Sequence, residues 1–154
     1  MKRVVLTMAM ALTAATVFAQ WHMDVTEDVM TGAVTRYIYA EAQMSTGTLR
    51  TPFIMVMQRD SGYTALVDFR SYSVARDVRR IAVRFGDSLE QVAARPTHDS
   101  NGVIFADALG MMERMGQYDE IPMQLFTATG HRMVAMWSMD GYQDAVAWLT
   151  GHVE

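Results

Sequence analysis

The chain has no cysteine and only one lysine, Lys2, among its 154 residues. Without cysteine it forms no disulfide, thiolate metal site or cysteine nucleophile, so apolar packing alone must stabilise the fold. Without a lysine beyond Lys2, Schiff-base chemistry and serine–lysine dyads are excluded from residue 3 onward. The prolines form no proline-rich linker, and the sequence shows no internal repeat. These absences predict a single domain that lacks several common catalytic devices.

The first nineteen residues have the features of a secretory signal peptide. Lys2 and Arg3 precede an uncharged, apolar run over residues 4–18, and the small residue Ala19 follows it. A basic start, a short apolar run and a small residue at the exit are the three parts of such a peptide. The run is shorter than the ~20 residues that span a bilayer, although an uncleaved anchor is the alternative interpretation. We predict cleavage after Ala19 and a periplasmic domain over residues 20–154, without stable membrane insertion.

Removal of the signal peptide makes the domain more acidic. It leaves eleven arginines and seventeen acidic residues, a net charge of −6 with histidine neutral. An acidic domain without a basic run is poorly suited to neutralise phosphate groups. The composition therefore predicts that nucleic acid is not a partner.

Alternating apolar and polar residues predict strands in the first two-thirds of the mature chain. Residues 33–43 and 63–69 alternate, whereas residues 51–58 are apolar on both faces, which indicates a central strand covered on both sides. The turn residues at 59–62 predict a hairpin between residues 51–58 and residues 63–69. Further strands are predicted at residues 77–85, 90–95, 121–127 and 132–138.

Two helices are predicted in the C-terminal half. Apolar residues recur at helical spacing over residues 104–115, and Gly116 stands where a glycine ends many helices. Asp140 and Gln143 have the spacing of a capping box at the start of the last helix, which Gly151 ends. Strands followed by a helix, a strand pair and a helix indicate an α+β fold. We expect an antiparallel sheet of about six or seven strands with two helices.

A cluster of methionines with one histidine suggests copper chemistry. His131, Met133 and Met136 lie close together in the sequence, and thioether and imidazole groups are ligands that Cu(I) prefers. On a strand, however, Met133 and Met136 point to opposite faces, and methionine is also an adaptable core residue. Core packing is therefore the favoured interpretation and no cofactor is predicted, with periplasmic Cu(I) binding as the alternative.

Hydrolase and calcium signatures are incomplete. The patterns Gly-x-Ser-x-Gly, His-x-His and His-Glu-x-x-His are absent. His98 and Ser100 would share one face of a strand, which leaves a small hydrolase as a further alternative. Asp99 and Asn101 suggest a calcium loop, but the last ligand position of that loop is Ala108, so a capped turn is favoured.

Surface arginines and tyrosines are the candidate contact residues. Arg79, Arg80 and Arg84 are dense along one predicted strand of an otherwise acidic chain, and arginine is favoured at protein contacts. Tyr37 and Tyr39 lie on the polar face of another predicted strand. We predict that these five residues bind a partner protein, with a solvated strand face as the alternative.

The mature chain also carries a series of short motifs. They are Trp21, Glu27-Asp28-Val29-Met30-Thr31, Arg84-Phe85-Gly86-Asp87, the Phe105/Leu109 pair, Phe126 and Ala145-Val146-Ala147-Trp148-Leu149. Together they resemble the small exported accessory proteins associated with type VI secretion, of the VasI or TagO type. The stretch Met57-Gln58-Arg59 stands where members of that group commonly carry an Arg-Cys pair. The resemblance implies a non-enzymatic periplasmic accessory protein that contacts other envelope proteins.

Overall fold

The computed structural model describes residues 21–60, 62–70 and 74–151. The predicted signal peptide, residues 1–19, lies outside this part of the chain. The first five strands are β1 His22–Glu27, β2 Val34–Glu41, β3 Met44–Thr46, β4 Phe53–Arg59 and β5 Gly62–Asp68. The remaining elements are β6 Arg80–Phe85, β7 Ser88–Pro96, β8 Gly102–Phe105, α1 Ala108–Met115, β9 Glu120–Phe126, β10 Arg132–Ser138 and α2 Tyr142–Thr150. No helix in the described ranges is long and apolar enough to cross a bilayer.

The ten strands form one antiparallel sheet that curls into a half-barrel. Their order is β1-β2-β4-β5-β8-β7-β6-β9-β10-β3. Only Ala42 and Gln43 separate β2 from β3, so a single stretch of chain supplies the last strand at one end of the sheet and the strand next to the last at the other end. The Ala42 amide donates to the Pro52 carbonyl at 2.8 Å, and the Gln43 amide donates to the Met136 carbonyl at 2.9 Å. This stretch therefore holds the two ends of the sheet together.

The predicted α+β fold with about six or seven strands is wrong, because the chain is mostly sheet with ten strands and two short helices. β1 and β3 were not predicted, because β3 is only three residues long and because in β1 only Met23 and Val25 alternate with polar residues, and both are exposed. β8 occupies residues 102–105, where the start of a helix was expected. The helix begins later, at Ala108, because the Asp107 carboxylate caps it by accepting from the Gly110 amide at 2.9 Å.

The ends of α2 were predicted with mixed success. Its N-cap is Gly141, with φ of 77° and no side-chain cap, so the predicted Asp140–Gln143 capping box is wrong. The Gln143 side-chain amide instead donates to the Gly116 carbonyl at 2.8 Å, which joins α2 to the end of α1. Gly151 ends α2 in the left-handed region at φ of 75°, as predicted. The β4–β5 hairpin is likewise confirmed.

One hydrophobic core fills the inside of the curled sheet. Its fully buried members include Ile38 and Ile54 from the sheet and Leu149 from α2. Tyr142, also in α2, is buried and its hydroxyl donates to the Met112 carbonyl of α1 at 3.0 Å. The helices therefore pack against the concave side of the sheet and against each other.

We expect Tyr142→Phe to lower the free energy of unfolding by about 1 kcal/mol, the usual net contribution of one hydrogen bond. The loss is moderate because the Gly116 amide also donates to the Met112 carbonyl, at 3.3 Å. Tyr118→Phe is the matched control, since no hydrogen bond of the Tyr118 hydroxyl is observed in the described chain, and we expect no change. Urea unfolding measures both.

The stabilities of the Tyr142→Phe and Tyr118→Phe variants should also depend differently on pH. Burial raises the pKa of the Tyr142 phenol well above its usual value of 10. The folded state therefore keeps a proton that the unfolded state releases above pH 10, so this residue's contribution to stability is complete below pH 10 and declines as the pH rises further. Stability should fall less steeply above pH 10 in Tyr142→Phe than in Tyr118→Phe. Parallel pH profiles would contradict this assignment.

Candidate interaction surface

Seven apolar side chains lie on the convex side of the sheet, away from the core. We call them the outer apolar face, and they are Tyr37, Tyr39, Phe53, Met55, Met57, Leu66 and Ile104. All seven are half-buried, and none belongs to the core cluster of the described chain. An antiparallel sheet usually presents polar residues on the side that faces away from its core. This face is therefore an unusual feature of the molecule.

The strand register brings these side chains together. Tyr39 of β2 pairs with Met55 of β4, which pairs with Leu66 of β5, and Leu66 pairs with Ile104 of β8. Side chains directly opposite one another on adjacent strands are ≈ 5 Å apart at Cβ. The four residues thus form a continuous apolar row across four strands. Tyr37 and Met57 begin a second row beside it.

The β1 end of this face is aromatic and acidic. The His22 ring stacks on Tyr39 with centroids 4.9 Å apart, and the Tyr37 and Tyr39 rings are 6.3 Å apart. The Tyr37 hydroxyl donates to the Asp24 carboxylate at 3.0 Å. This hydrogen bond raises the pKa of the Tyr37 phenol above its usual value of 10. The tyrosine at this end therefore stays protonated at physiological pH and presents a polar group beside an apolar row.

An ion pair lies beside Phe53, at one corner of the face. The Arg70 guanidinium lies over the Phe53 ring, 4.5 Å from its centroid, and pairs with Glu41 at 3.3 Å. A cation over an aromatic ring at a partly exposed site contributes about 0.5–1 kcal/mol. The face thus has an apolar centre and a charged margin, as protein interfaces commonly do.

The structure places the predicted contact residues in two separate regions. Tyr37 and Tyr39 belong to the outer apolar face. Arg80 and Arg84 are exposed on β6, which four strands separate from β2 in the sheet order. Arg79 precedes β6, and its guanidinium donates to the Val78 carbonyl at 3.0 Å. The five residues therefore do not form one patch.

The residues of the copper alternative lie on or directly before β10, but their side chains do not converge. Met133 is fully buried in the core, whereas Met136 is half-buried on the opposite face of β10. His131 is exposed before β10. The described residues contain no group of three or more histidine, cysteine or acidic side chains placed to hold a metal ion.

The hydrolase alternative rested on two residues that lie in a turn rather than on a strand. His98 is exposed, and Ser100 has a left-handed backbone with φ of 59°. No hydrogen bond between their side chains is observed in the described chain. Between them, the Asp99 carboxylate accepts from the Thr97 hydroxyl at 2.6 Å and from the Asn101 amide at 3.2 Å. The Thr97 hydroxyl bond, and next the Asn101 amide, lower the pKa of Asp99 and keep the turn capped.

Two clefts lie at the junction of the helices. The first has a volume of about 480 Å³ and includes Asp119, Asp140 and Asp144 in its lining. The second, of about 420 Å³, shares Gly116 and Gln143 with it and is otherwise lined mainly by α1 and α2. Neither cleft includes a residue of the outer apolar face.

Sequence reasoning missed five of the seven residues of the outer apolar face. The available signal was the apolar run over residues 51–58, which was interpreted as a strand covered on both sides. The core covers only one side of β4, through Ile54 and Val56. The opposite side carries Met55 and Met57, neither of which belongs to the core cluster of the described residues.

The described fold is an antiparallel half-barrel of ten strands with two short helices. No protein-family model matches the sequence, and no curated protein sequence matches it. Among solved structures, the chain is similar to invasion associated protein B from Bartonella henselae, with a TM-score of 0.60 and 8% sequence identity. The similarity covers 87% of this chain and 92% of that one. At this identity the likeness shows the fold alone, and function has to be argued from the surface.

Proposed function

We propose that this chain is an exported, non-enzymatic accessory protein that binds another envelope protein through its outer apolar face. The observation that carries the proposal is the apolar row formed by Tyr39, Met55, Leu66 and Ile104 on the side of the sheet away from the core. Contiguous apolar surface of this kind marks interaction sites in proteins. The basic, apolar and small-residue parts of residues 1–19 support a periplasmic location.

The composition of the face favours a protein over a small molecule as its ligand. Tyrosine, phenylalanine and methionine are enriched at protein interfaces, and they supply five of its seven side chains. Small-molecule sites are concave, with a few polar groups at fixed positions. This face instead lies along the convex side of four strands. A protein partner with a complementary apolar surface suits it better.

The experiment is a crosslinked pull-down of the tagged mature protein from native periplasm, quantified by mass spectrometry. We expect Met55→Glu combined with Leu66→Glu to reduce capture of the partner at least 10-fold, because it buries two charges at the centre of the interface. Gln91→Glu combined with Gln124→Glu is the control, since both glutamines lie on strands of the other half of the sheet. Components of the type VI secretion apparatus are the first candidates to quantify, given the sequence resemblance.

Charge reversal of Arg79, Arg80 and Arg84 forms a separate arm of this experiment. Because β6 carries no residue of the outer apolar face and β7 separates it from β8, this variant tests the predicted arginine surface separately. Loss of capture in this arm alone would move the interface to β6. Equal capture by the wild type and all three variants would overturn a role for either surface.

A further inference from the structure

β1 is an edge strand that lacks several of the usual protections against pairing with another strand. Among the strands of the described ranges it pairs with β2 alone, and all six of its side chains are exposed. Proteins commonly protect such edges with lysine, proline, a bulge or a covering element. The sequence of β1, HMDVTE, has neither lysine nor proline, and its register with β2 runs without a bulge from His22 to Glu27.

One hydrogen bond shows which main-chain groups face outward. The Val25 amide donates to the Asp24 carboxylate at 2.7 Å. Its N–H is therefore directed away from the ladder with β2. In an antiparallel pair the outward groups alternate along the strand, so Met23, Val25 and Glu27 present their N–H and C=O groups at the free edge. These groups are available to another strand.

The charged side chains of β1 and of the turn after it are of one sign, and the nearest arginine in the register, Arg36, lies on β2 opposite Val25. Residues 21–35 contain three carboxylates, Asp24, Glu27 and Asp28, and no arginine or lysine. Pairing of β1 with β1 of a second copy would bring like charges together, which is destabilising between adjacent strands. A strand that carries arginine or lysine is complementary instead.

We propose that the β1 edge binds an extended, basic segment of the partner protein by strand addition. This inference rests on the proposed function, because the edge adjoins the outer apolar face through the His22–Tyr39 stack. A basic side chain of the segment lies beside Asp24. Aliphatic side chains lie on the opposite face, beside Met23 and Val25, which are 50% and 52% exposed. When the segment binds, the Val25 amide donates to the new strand instead of to the Asp24 carboxylate. The carboxylate then pairs with the basic side chain of the segment.

The test uses a fluorescent, end-blocked eight-residue peptide of alternating arginine and valine, titrated with the mature protein and followed by anisotropy. We expect saturable binding that weakens as salt is raised. The same peptide with glutamate for arginine, and one with proline for two central valines, should bind at least 10-fold more weakly. The first control removes charge complementarity, and the second removes main-chain pairing.

Two protein variants locate the site. Val25→Pro removes the outward N–H but no bond of the β1–β2 ladder, and it should weaken peptide binding at least 10-fold, whereas Val25→Ala should change it less than twofold. Because proline also restrains the backbone, the double variant Asp24→Asn, Glu27→Gln provides a second test. It leaves the main chain intact and should weaken binding of the arginine peptide several-fold at low salt.

The outcomes separate this inference from the proposed function. If the peptide fails to bind at millimolar concentration, or binds Val25→Pro like the wild type, the strand-addition site is refuted, while partner capture by the outer apolar face is measured independently. Equal binding of the glutamate peptide would refute the basic specificity. A Val25-dependent dimer in sedimentation would assign the edge to a second copy and overturn the proposal. Peptide binding with unaltered capture in the Met55→Glu, Leu66→Glu variant would support the edge and reject the face.

Discussion

Replacing Trp21 with alanine is expected to lower the free energy of unfolding by about 3–5 kcal/mol. Its ring is only 5% exposed and lies 4.8 Å from the ring of Tyr142 in α2. Its indole N–H donates to the Ser138 carbonyl at the end of β10, at 3.2 Å. One side chain therefore connects the start of β1, the end of β10 and the last helix. Alanine would leave a large cavity where these three elements meet.

The loss of stability in Trp21→Ala should be largest locally in β1. Every side chain from His22 to Glu27 is exposed, so no residue within the strand itself is buried in the core. We expect amide hydrogen exchange in β1 to accelerate in Trp21→Ala more than in the β4–β5 hairpin. Trp21→Phe keeps an aromatic ring but loses the hydrogen bond, and should cost about 1 kcal/mol. If Trp21→Ala were as stable as Trp21→Phe, the ring would not be the anchor of β1.

The parts of the fold that the sequence predicted are those in which burial alternates. In β6 the inward residues Ile81, Val83 and Phe85 are buried, and Arg80 and Arg84 are exposed, as the pattern predicted. The β4–β5 hairpin and the β9–β10 pair were recognised for the same reason. Alternation of apolar and polar residues shows which side of a strand faces the core. It therefore predicts a strand correctly wherever one side faces the core and the other faces solvent.

The errors arose where the environment of a residue depends on distant parts of the chain. β1 has no buried side chain and is held through Trp21 and β2, so the short alternation of Met23 and Val25 does not mark a face turned to the core. β8 is only four residues long, and its apolar residues were interpreted as the first turn of a helix. Its pairing with both β5 and β7 is what makes it a strand, and its partner residues in β5 are distant in the sequence, as Leu66 is from Ile104.

The same limitation applies to the candidate site. Tyr37 and Tyr39 were identified because they alternate with the buried residues of β2. The apolar residues of β4 on the same surface were assigned to a covered sheet face, since an apolar side chain carries no information about whether a neighbour covers it. The register between β2 and β4 was needed to show that Tyr39 and Met55 are adjacent.

We expect Gly102→Ala to destabilise the protein by about 3 kcal/mol or more, the upper range for an overpacked site. Gly102 is buried opposite Asp68, where β8 joins β5. A Cβ at this position would collide with the Val67 carbonyl oxygen and would lie 2.8 Å from the Asp68 Cα. Both are backbone atoms of a strand whose Val67 side chain is fully buried, so β5 cannot shift without disturbing the core.

Gly62→Ala provides the matched control on the neighbouring strand. A Cβ there would meet nothing closer than the Arg59 carbonyl oxygen at 3.7 Å. Since its backbone is not in the left-handed region, alanine should be neutral or stabilise the fold by up to about 1 kcal/mol through the unfolded state. Urea unfolding of the two variants would compare them directly, and equal stabilities would show that β8 tolerates a wider spacing from β5.

The Leu66–Ile104 pairing adjoins the contact of Gly102 with β5, so separating the two strands would also interrupt the apolar row on the outer face. The loss of partner capture in Gly102→Ala, at a temperature where the variant is still folded, would then link strand spacing to the interaction surface.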